Sequence, residues 1–320
     1  MRRRDVVRGL GGAIVALPFV RAAQAQELQV IRIGLAEGDD ATPTLYAIKN
    51  GLFKKYGIDA QLTPVASGAA GLAALAGGSI DVTGTSLLPF LSARSKGLPL
   101  TIVAPLAAYS PDSVYAAILV KKEATYKTGR DLNGKTIASP ALRDLNWVAS
   151  MAWIDQNGGD SSTVKSIEVP ASVIPAALED GRIDAATVTT PRYVQAVNGG
   201  KVRILGKSYE AIGKHFTFAA IVSTVEFAAK NPDAIARFGR AIRDATLYTN
   251  THHDQTLALY AAFAKIDPKD IAGAPRAESA QYVDAKDIQP MIDVAVKYGV
   301  LAKTINPQEL ISAAALKVGS

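Results

Sequence analysis

Two short polar segments in the first third of the chain could hold an anion. Ser67-Gly68-Ala69 opens a stretch of helical composition, and Thr85-Ser86 follows a short apolar run. The first peptide N–H groups of a helix have no partner within the helix, and the helix dipole favours negative charge beside them. A serine or threonine hydroxyl adds a further donor. The two segments therefore predict contacts to an anionic ligand, although a serine before a helix also serves as an ordinary N-cap.

Two arginines in the middle of the chain are candidates to clamp a carboxylate or a sulfonate. Arg143 and Arg192 each carry a planar guanidinium, which binds such groups through two parallel hydrogen bonds. The alternative is a surface ion pair between Arg143 and the neighbouring Asp144, which would contribute little to stability. The residue types alone leave both interpretations open.

Two adjacent acids limit the kind of anion that could bind. Asp39 and Asp40 lie in the segment Gly38–Thr42, directly after an apolar run of strand length. Two carboxylates would repel a purely anionic ligand. They favour a ligand that has both an amine and an acid, or a neutral ring with hydrogen-bonding groups. The alternative is that one of them, most simply Asp40, caps the following helix.

Aromatic side chains could cover the ligand. Trp147 and Tyr193 are suited to stacking on a ring, and Tyr109 to lining the hinge side of a cleft. All three would fit equally well in a packed core. The complete set of predicted ligand contacts is Asp39, Asp40, Ser67, Gly68, Ala69, Thr85, Ser86, Tyr109, Arg143, Asn146, Trp147, Thr189 and Arg192.

The elements that must position these residues occur twice in the chain. The segment Ala73–Asp81 is echoed by Ala176–Asp184, just over a hundred residues later. Each copy predicts a helix end, a glycine stop and an Ile-Asp pair that begins a strand. Solenoid repeats recur every 20–50 residues, roughly, so this much longer period indicates two similar α/β lobes. Two lobes with equivalent loops can face one another across a cleft that traps a ligand.

Strands and helices alternate in both halves, which predicts one parallel sheet in each lobe. Ligands bind beyond the carboxyl ends of such strands, and this rule selects the same polar loops as the residue chemistry does. Ser113–Val120 and Phe216–Val222 are predicted to connect the lobes. The predicted fold class is therefore α/β, with two Rossmann-like lobes joined by two crossing strands and a ligand cleft between them.

The predicted domain boundaries follow from these connections. Lobe I is expected to comprise residues 26–112 and 218–320, and lobe II residues 113–217 with the connecting strands. Three segments in the last part of the chain are predicted to be helices that wrap lobe I, namely Leu257–Ala264, Ile288–Tyr298 and Pro307–Lys317.

Residues 1–25 are predicted to be a cleaved signal peptide. An arginine-rich start, an apolar stretch over Gly11–Val20 and the segment Ala23-Gln24-Ala25 form its three parts. The apolar stretch is shorter than the ~20 residues that span a bilayer. Arg3-Arg4 also resembles a twin-arginine export signal, so that route and the general one both stay open. Since the chain has no cysteine for a lipid anchor, we expect a protein that is free in the periplasm.

Composition excludes several other functions. Of 320 residues, 48% are hydrophobic and 20% charged, as in a globular protein large enough for two domains. The net charge is +6, but residues 1–25 hold five arginines against one aspartate, so the rest is too weakly basic to favour nucleic acid or membrane binding. Without cysteine, disulfides and thiolate chemistry are excluded, and three histidines make a zinc site unexpected. We expect a monomer with no cofactor.

Four segments carry a resemblance to a known family, namely Ala47–Ile58, Ala74–Asp81, Asp131–Lys135 and Ala177–Ala185. In this order after a signal peptide, they resemble the periplasmic substrate-binding proteins of ABC importers. The resemblance is to the branch that includes nitrate, aliphatic sulfonate, taurine and thiamine-pyrimidine-precursor binders. It extends from Leu28 to about Ala245.

The resemblance implies a type II periplasmic binding protein fold, whose two lobes close over a small molecule. It also implies that the closed form docks on a membrane permease, with a separate cytoplasmic ATPase driving uptake. It does not imply which molecule is bound, because the branch shares its scaffold more than its pocket. An anionic or zwitterionic organic molecule is the ligand that the residues favour.

Two other functions remain as alternatives. Enzymes exist on similar bilobal scaffolds, but those like porphobilinogen deaminase or the fungal pyrimidine synthases need cysteines that this chain lacks. A menaquinone-pathway-like enzyme needs none, yet it would normally be cytoplasmic, and the predicted leader argues against that. A periplasmic sensor input is the other alternative. The sequence contains no nucleophile elbow, P-loop or metal-ligand spacing, so a non-catalytic binding protein is the favoured prediction.

Overall fold

The computed structural model describes residues 28–112 and 114–316. The predicted signal peptide, residues 1–25, lies outside them. Across the described ranges, none of the helices combines the length and the apolar character that crossing a membrane requires.

The described residues form ten strands and twelve α-helices. The strands are β1 (Gln29–Leu35), β2 (Ile58–Pro64), β3 (Val82–Ser86), β4 (Leu100–Tyr109), β5 (Ala116–Lys121), β6 (Thr136–Ser139), β7 (Lys165–Glu168), β8 (Ala185–Thr189), β9 (Val202–Gly206) and β10 (Phe216–Thr224). The helices are α1 (Thr42–Lys49), α2 (Leu52–Lys55), α3 (Gly68–Ala76), α4 (Leu87–Ser95), α5 (Leu145–Gln156), α6 (Ile174–Glu179), α7 (Arg192–Asn198), α8 (Val225–Lys230), α9 (Pro232–Thr249), α10 (His253–Ala264), α11 (Pro268–Ile271) and α12 (Ala285–Lys297).

The strands form two five-stranded sheets with the same topology. The first sheet has the order β2-β1-β3-β10-β4, and the second has the order β7-β6-β8-β5-β9. We call each sheet with the helices that pack on it lobe I and lobe II, respectively. The fourth position of each sheet is taken by a strand next to a crossing between the lobes, β10 in lobe I and β5 in lobe II. The sequence repeat is therefore a repeat of topology.

The prediction of purely parallel sheets is wrong for one strand in each lobe. β10 is antiparallel to β3 and β4, and β5 is antiparallel to β8 and β9. The other strand pairs, such as β1 with β2 and β6 with β7, are parallel. β10 begins where the chain returns from lobe II, at the end of the sheet that contains the carboxyl ends of β1 and β3. It therefore runs antiparallel to both strands.

The repeated Ile-Asp pair holds neighbouring strands together in both lobes. The carboxylate of Asp81 accepts a hydrogen bond from the backbone N–H of Arg32 at 2.8 Å, and that of Asp184 accepts one from Thr136 N–H at 2.9 Å. The preceding glycines, Gly78 and Gly181, have φ of 72° and 71°, a left-handed conformation that favours glycine at a helix end. The repeat is thus explained by strand pairing and by the helix end that precedes it.

The C-terminal third packs mainly on lobe I. Phe238 of α9 stacks on Phe53 with ring centroids 5.1 Å apart, and both side chains are fully buried. The predicted helices near α10 and α12 are present, but the prediction of a helix over Pro307–Lys317 is wrong. Pro307–Leu310 is a single 3-10 turn, and Ile311 then pairs with Ile102. Pairing with the open edge of β4 satisfies backbone groups that would otherwise be exposed there.

Candidate functional site

A cavity of about 650 Å³ lies between the lobes, and both contribute to its walls. A smaller cavity of about 190 Å³ adjoins it in lobe I and shares part of its lining. The predicted contacts that line the larger cavity are Asp40, Ser67, Gly68, Ala69, Ser86, Arg143, Asn146 and Thr189. Thr85 lines the smaller cavity. The two linings do not include Asp39, Tyr109, Trp147 or Arg192. Ligand contact by any of these residues remains a prediction.

The start of α3 forms one wall of the cavity. Ser67 is the N-cap of this helix, and its Oγ accepts a hydrogen bond from Ala70 N–H at 3.2 Å. The next residue, Gly68, lies so close to the end of β3 that a Cβ there would be 2.5 Å from Thr85 Oγ1. Glycine is therefore required for this close approach. The first N–H groups of α3, from Gly68 and Ala69, have no helical acceptor and lie at the cavity wall.

The start of α4 supplies a second hydroxyl. Ser86 is its N-cap residue, but its side chain makes no capping hydrogen bond. Among the described residues, its Oγ is buried and has no hydrogen-bond partner, although Ser86 lines both cavities. A buried hydroxyl without a partner is costly, by about 1–3 kcal/mol. Ser86 Oγ is therefore a group that a bound molecule would satisfy.

The two adjacent acids have different surroundings. Asp40 is half-buried and lines both cavities. Burial, and then the negative charge of Asp39, raise the pKa of Asp40 to about 6. Asp39 lies behind the cavity wall and is buried, and its Oδ1 accepts a hydrogen bond from Arg276 Nε at 2.6 Å. The capping alternative for Asp40 is not what the structure shows, since Ala41 is the N-cap of α1 and no side chain caps it.

Lobe II contributes the start of α5. Asp144 is its N-cap residue, and its Oδ1 accepts hydrogen bonds from Trp147 N–H at 2.7 Å and from Ser139 Oγ at 2.6 Å. Burial raises the pKa of Asp144, although these hydrogen bonds oppose the change. Trp147 uses its indole Nε1–H to donate to Ser166 Oγ at 2.8 Å and packs in a core cluster. Trp147 is therefore engaged in packing and in a hydrogen bond within lobe II, and ligand contact by its ring stays a prediction.

The two arginines differ in position. Arg143 is exposed, lines the cavity and has a left-handed φ of 65°. Within the described residues it forms no ion pair with Asp144, whose carboxylate is occupied by the α5 cap. Arg192 is exposed at the start of α7, and the neighbouring Tyr193 is buried with its hydroxyl donating to Val114 O at 2.7 Å. Arg143, and not Arg192, is therefore placed to reach a molecule in the cavity.

Three aromatic side chains that the sequence analysis did not select form the aromatic floor of the cavity, namely Tyr115, Tyr209 and Phe218. The rings of Tyr115 and Phe218 stack with centroids 5.2 Å apart, and Tyr209 meets Phe218 edge to face at 5.7 Å. Tyr109 packs beside Tyr209 at 6.0 Å but does not line the cavity. Tyr115 and Phe218 lie in the predicted connecting segments, which was the available signal.

The cavity can hold groups of both charges. Ser67, Ser86 and Arg143 offer hydrogen-bond donors, and the exposed Lys96 at the end of α4 adds a second cation to the lining. Asp40 offers a negative charge beside the aromatic floor, and Asn146 Oδ1 accepts a hydrogen bond from Tyr209 at 3.2 Å. A molecule with an acidic group, an apolar body and a basic group would find a complementary surface for each part.

A two-lobed α/β protein with a mixed sheet in each lobe and a cavity between them is built like the periplasmic binding proteins. The crystal structure of the periplasmic aliphatic sulphonate binding protein SsuA from Escherichia coli matches it with a TM-score of 0.76 at 22% identity. The match covers 89% of this chain and 97% of that one. The predicted fold class is confirmed.

The chain belongs to the NMT1/THI5 like family, which it matches over residues 39–256. A candidate binding protein of Brucella abortus is 23% identical over 311 residues, which are 92% of this chain and 94% of that protein. The taurine-binding periplasmic protein of Escherichia coli is 27% identical over 233 residues, which are 72% of this chain and 69% of that protein. These relatives confirm the resemblance found in the sequence and favour a binding protein over an enzyme.

Proposed function

We propose that this protein is the periplasmic solute-binding component of an ABC importer and that it captures a small anionic or zwitterionic organic molecule in the interlobe cavity. The cavity volume of about 650 Å³ lies in the range of about 300–1,000 Å³ that is usual for small-molecule sites. The observation that carries the proposal is the buried Ser86 Oγ, which lines this cavity and has no partner among the described residues.

The proposal includes a location and partners. A cleaved signal peptide over residues 1–25 would deliver the chain to the periplasm, by the twin-arginine or the general route, without a lipid anchor. The loaded protein would act as a monomer and pass its ligand to a membrane permease driven by a cytoplasmic ATPase. The relatives that are named as periplasmic binding proteins support this assignment.

Closure of the lobes over the ligand belongs to the same proposal. Hydrogen bonds already bridge the lobes, one from Tyr298 O–H to Asp155 Oδ2 at 2.8 Å and one from Gln195 Nε2 to Asp270 O at 3.2 Å. A ligand that contacts both walls would add to these bridges. Small-angle scattering of the ligand-free and loaded protein should show a smaller radius of gyration with ligand.

A thermal-shift screen of the chain from Gln26 onward tests the proposed function. The protein is first unfolded and refolded to remove any bound compound, and the panel contains sulfonates, nitrate, carboxylates, amino acids and pyrimidines. A ligand at a hundredfold excess over Kd stabilises the folded state by about 2.7 kcal/mol, so a binder raises Tm clearly. The compounds released by unfolding are identified by mass spectrometry in parallel.

Variants then locate the binding site. Ser86→Ala should weaken binding of the selected compound about tenfold, because a donor in the cavity is lost. Ser95→Ala is the matched control, since Ser95 is exposed at the other end of the same helix and, within the described part of the chain, its hydroxyl donates only to Ser92 O. Equal affinity of both variants and the parent would contradict a site in the cavity, and an empty screen with no released compound would contradict the binding function itself.

A further inference from the structure

The strongest unassigned feature of the cavity is the pairing of one acid with the aromatic floor. Asp40 and Tyr115 both line the larger and the smaller cavity. Burial and then the charge of Asp40 raise the pKa of Tyr115 well above its ordinary value. Asp40 also contributes, after burial and Asp144, to the raised pKa of Tyr209. The carboxylate of Asp40 and the rings of Tyr115 and Tyr209 line one cavity, so a single bound group can meet them there.

Of the two adjacent acids, Asp40 is the one that remains for a ligand. The carboxylate of Asp39 is occupied by Arg276 and by Ala277 N–H, which donates to Oδ2 at 2.6 Å. Among the described residues, Asp40 takes part in no ion pair of 4.0 Å or less. A carboxylate held in a half-buried position costs free energy unless a positive group neutralises it. A ligand with a positive charge would supply that group.

The surroundings of Asp40 favour an alkylated nitrogen over a primary ammonium. A primary ammonium has three N–H donors and needs about as many acceptors. The aromatic floor offers mainly ring faces and edges, because Phe218, which stacks on Tyr115 and meets Tyr209, has no hydrogen-bonding group on its side chain. An N-alkylated ammonium needs few acceptors and is attracted to aromatic faces, most strongly where water is excluded.

We infer that the ligand is a zwitterion whose tertiary or quaternary ammonium group lies between Asp40 and the aromatic floor of Tyr115, Tyr209 and Phe218. This inference rests on the proposed function, which supplies the acidic end of the ligand at the donors of α3 and α4. The ammonium end and its alkyl groups determine which acids the protein accepts. An anion of the same shape without the positive charge would leave Asp40 uncompensated.

Three synthetic sulfonates test the inference by isothermal titration calorimetry. The first is 3-(trimethylammonio)propane-1-sulfonate, and the second is its carbon isostere, 4,4-dimethylpentane-1-sulfonate, which lacks only the positive charge. The third, 3-aminopropane-1-sulfonate, has a primary ammonium. We expect the trimethylammonio compound to bind at least tenfold more tightly than either of the others. If the isostere binds as tightly or more tightly, the inference that the ligand carries an ammonium group is wrong. If the primary amine binds as tightly or more tightly, the inference that its nitrogen is alkylated is wrong.

Two variants connect the result to the named residues. In Asp40→Asn the ratio of the affinities for the trimethylammonio compound and its isostere should fall below threefold. Asp59→Asn is the control, because it removes a lobe I carboxylate outside both cavity linings. It should leave this ratio unchanged. Phe218→Leu should weaken the trimethylammonio compound more than the isostere. An advantage that persists in both cavity variants overturns the location of the site.

The failure of this inference differs from the failure of the proposed function. If the isostere or another simple anion binds in the cavity and responds to Ser86→Ala, the binding function holds and the ammonium inference is wrong. If none of the three sulfonates binds, the compound released from the purified protein shows whether the natural ligand has an alkylated nitrogen. A released compound without an alkylated nitrogen overturns the inference, and the absence of any released or bound compound overturns both.

Discussion

The carboxylate of Asp39 is held by Arg276, which lies 237 residues further along the chain and donates from Nε to Oδ1 at 2.6 Å. Both side chains are buried, with 8% of the Arg276 side chain and 3% of the Asp39 side chain exposed. Arg276 also donates from Nη2 to Thr42 Oγ1 at 3.1 Å. This contact ties the C-terminal part of the chain to the loop that carries Asp40, and so it fixes one wall of the cavity.

Removal of Arg276 should destabilise the protein strongly. In Arg276→Met the carboxylate of Asp39 stays buried without its counter-charge, and breaking a buried pair in this way costs about 3–5 kcal/mol. The free energy of unfolding, measured by urea denaturation, should fall by about that amount. The double variant Asp39→Asn with Arg276→Met removes both charges and should lose less than Arg276→Met alone. A double variant that is less stable than the single variant would contradict this account.

Asp40 should make the stability of the ligand-free protein depend on pH. Its folded-state pKa is raised to about 6 by burial and then by the charge of Asp39, whereas an unfolded aspartate has a pKa of about 3.9. The folded state therefore binds more protons than the unfolded state between these values, and Asp40 lowers stability as the pH rises from about 4 through about 6. The charged or titratable groups coupled to it are Asp39, Tyr115, Tyr209, Tyr260 and, behind Asp39, Arg276.

The variant Asp40→Asn separates this effect from those of the other groups. We expect the free energy of unfolding at pH 7.5 to rise by about 1 kcal/mol, because a partly buried charge is removed. The gain at pH 4.5 should be smaller, since Asp40 is then largely protonated in the folded state. Asp59→Asn serves as the control at both pH values. An Asp40→Asn gain that is the same at both pH values would mean that the pKa of Asp40 is not raised.

Gly68→Ala should disturb the start of α3. The new Cβ would lie 2.5 Å from Thr85 Oγ1 and 3.2 Å from Thr85 Cβ, and such overpacking costs about 1–3 kcal/mol. We expect a lower Tm and weaker ligand binding, with partial recovery when Thr85→Ala is added. Gly77→Ala is the control at the other end of α3, where the nearest neighbour would be 3.4 Å away and φ is −79°. Equal losses in the two glycine variants would be incompatible with the close approach.

Arg143 and Arg192 should respond differently to the same substitution. Arg143→Ala should weaken binding of an anionic ligand about fivefold, since an exposed cation at the cavity contributes about 1 kcal/mol. Arg192→Ala should weaken binding less than Arg143→Ala, because Arg192 lies outside both cavity linings. Calorimetric titration of both variants with the same sulfonate measures the difference. If only Arg192→Ala weakens binding, the ligand lies elsewhere in the cleft.

The two lobes and their repeat could be predicted because their signals are local. Glycine stops such as Gly78 and Gly181, with the Ile-Asp pair that follows, appear within a few residues of the helix they end. The direction of β10 and β5 could not be predicted in this way. It depends on which end of the sheet the chain reaches when it returns from the other lobe.

The polar loops of the cavity were accessible from the sequence for a related reason. Ser67, Ser86 and Arg143 follow strand ends or begin helices, and the position of a ligand relative to strand ends is a general property of α/β sheets. Trp147 lies in the first turn of α5, directly after one of these loops, but its indole N–H donates to Ser166, 19 residues away. The direction of a side chain depends on which hydrogen-bonding and packing partners lie near it in the tertiary structure.

The amino-acid sequence by itself determined that this chain forms two similar α/β lobes and that polar loops at their strand ends carry the candidate contacts, because hydrophobic period, glycine stops and helix caps act over short distances. Only the tertiary structure decided how the adjacent acids divide, since Asp39 is occupied by Arg276 from the far end of the chain and Asp40 remains at the cavity. It also decided the aromatic floor, where Tyr115, Tyr209 and Phe218 come from three separate segments. Contacts between distant residues depend on how the whole chain packs.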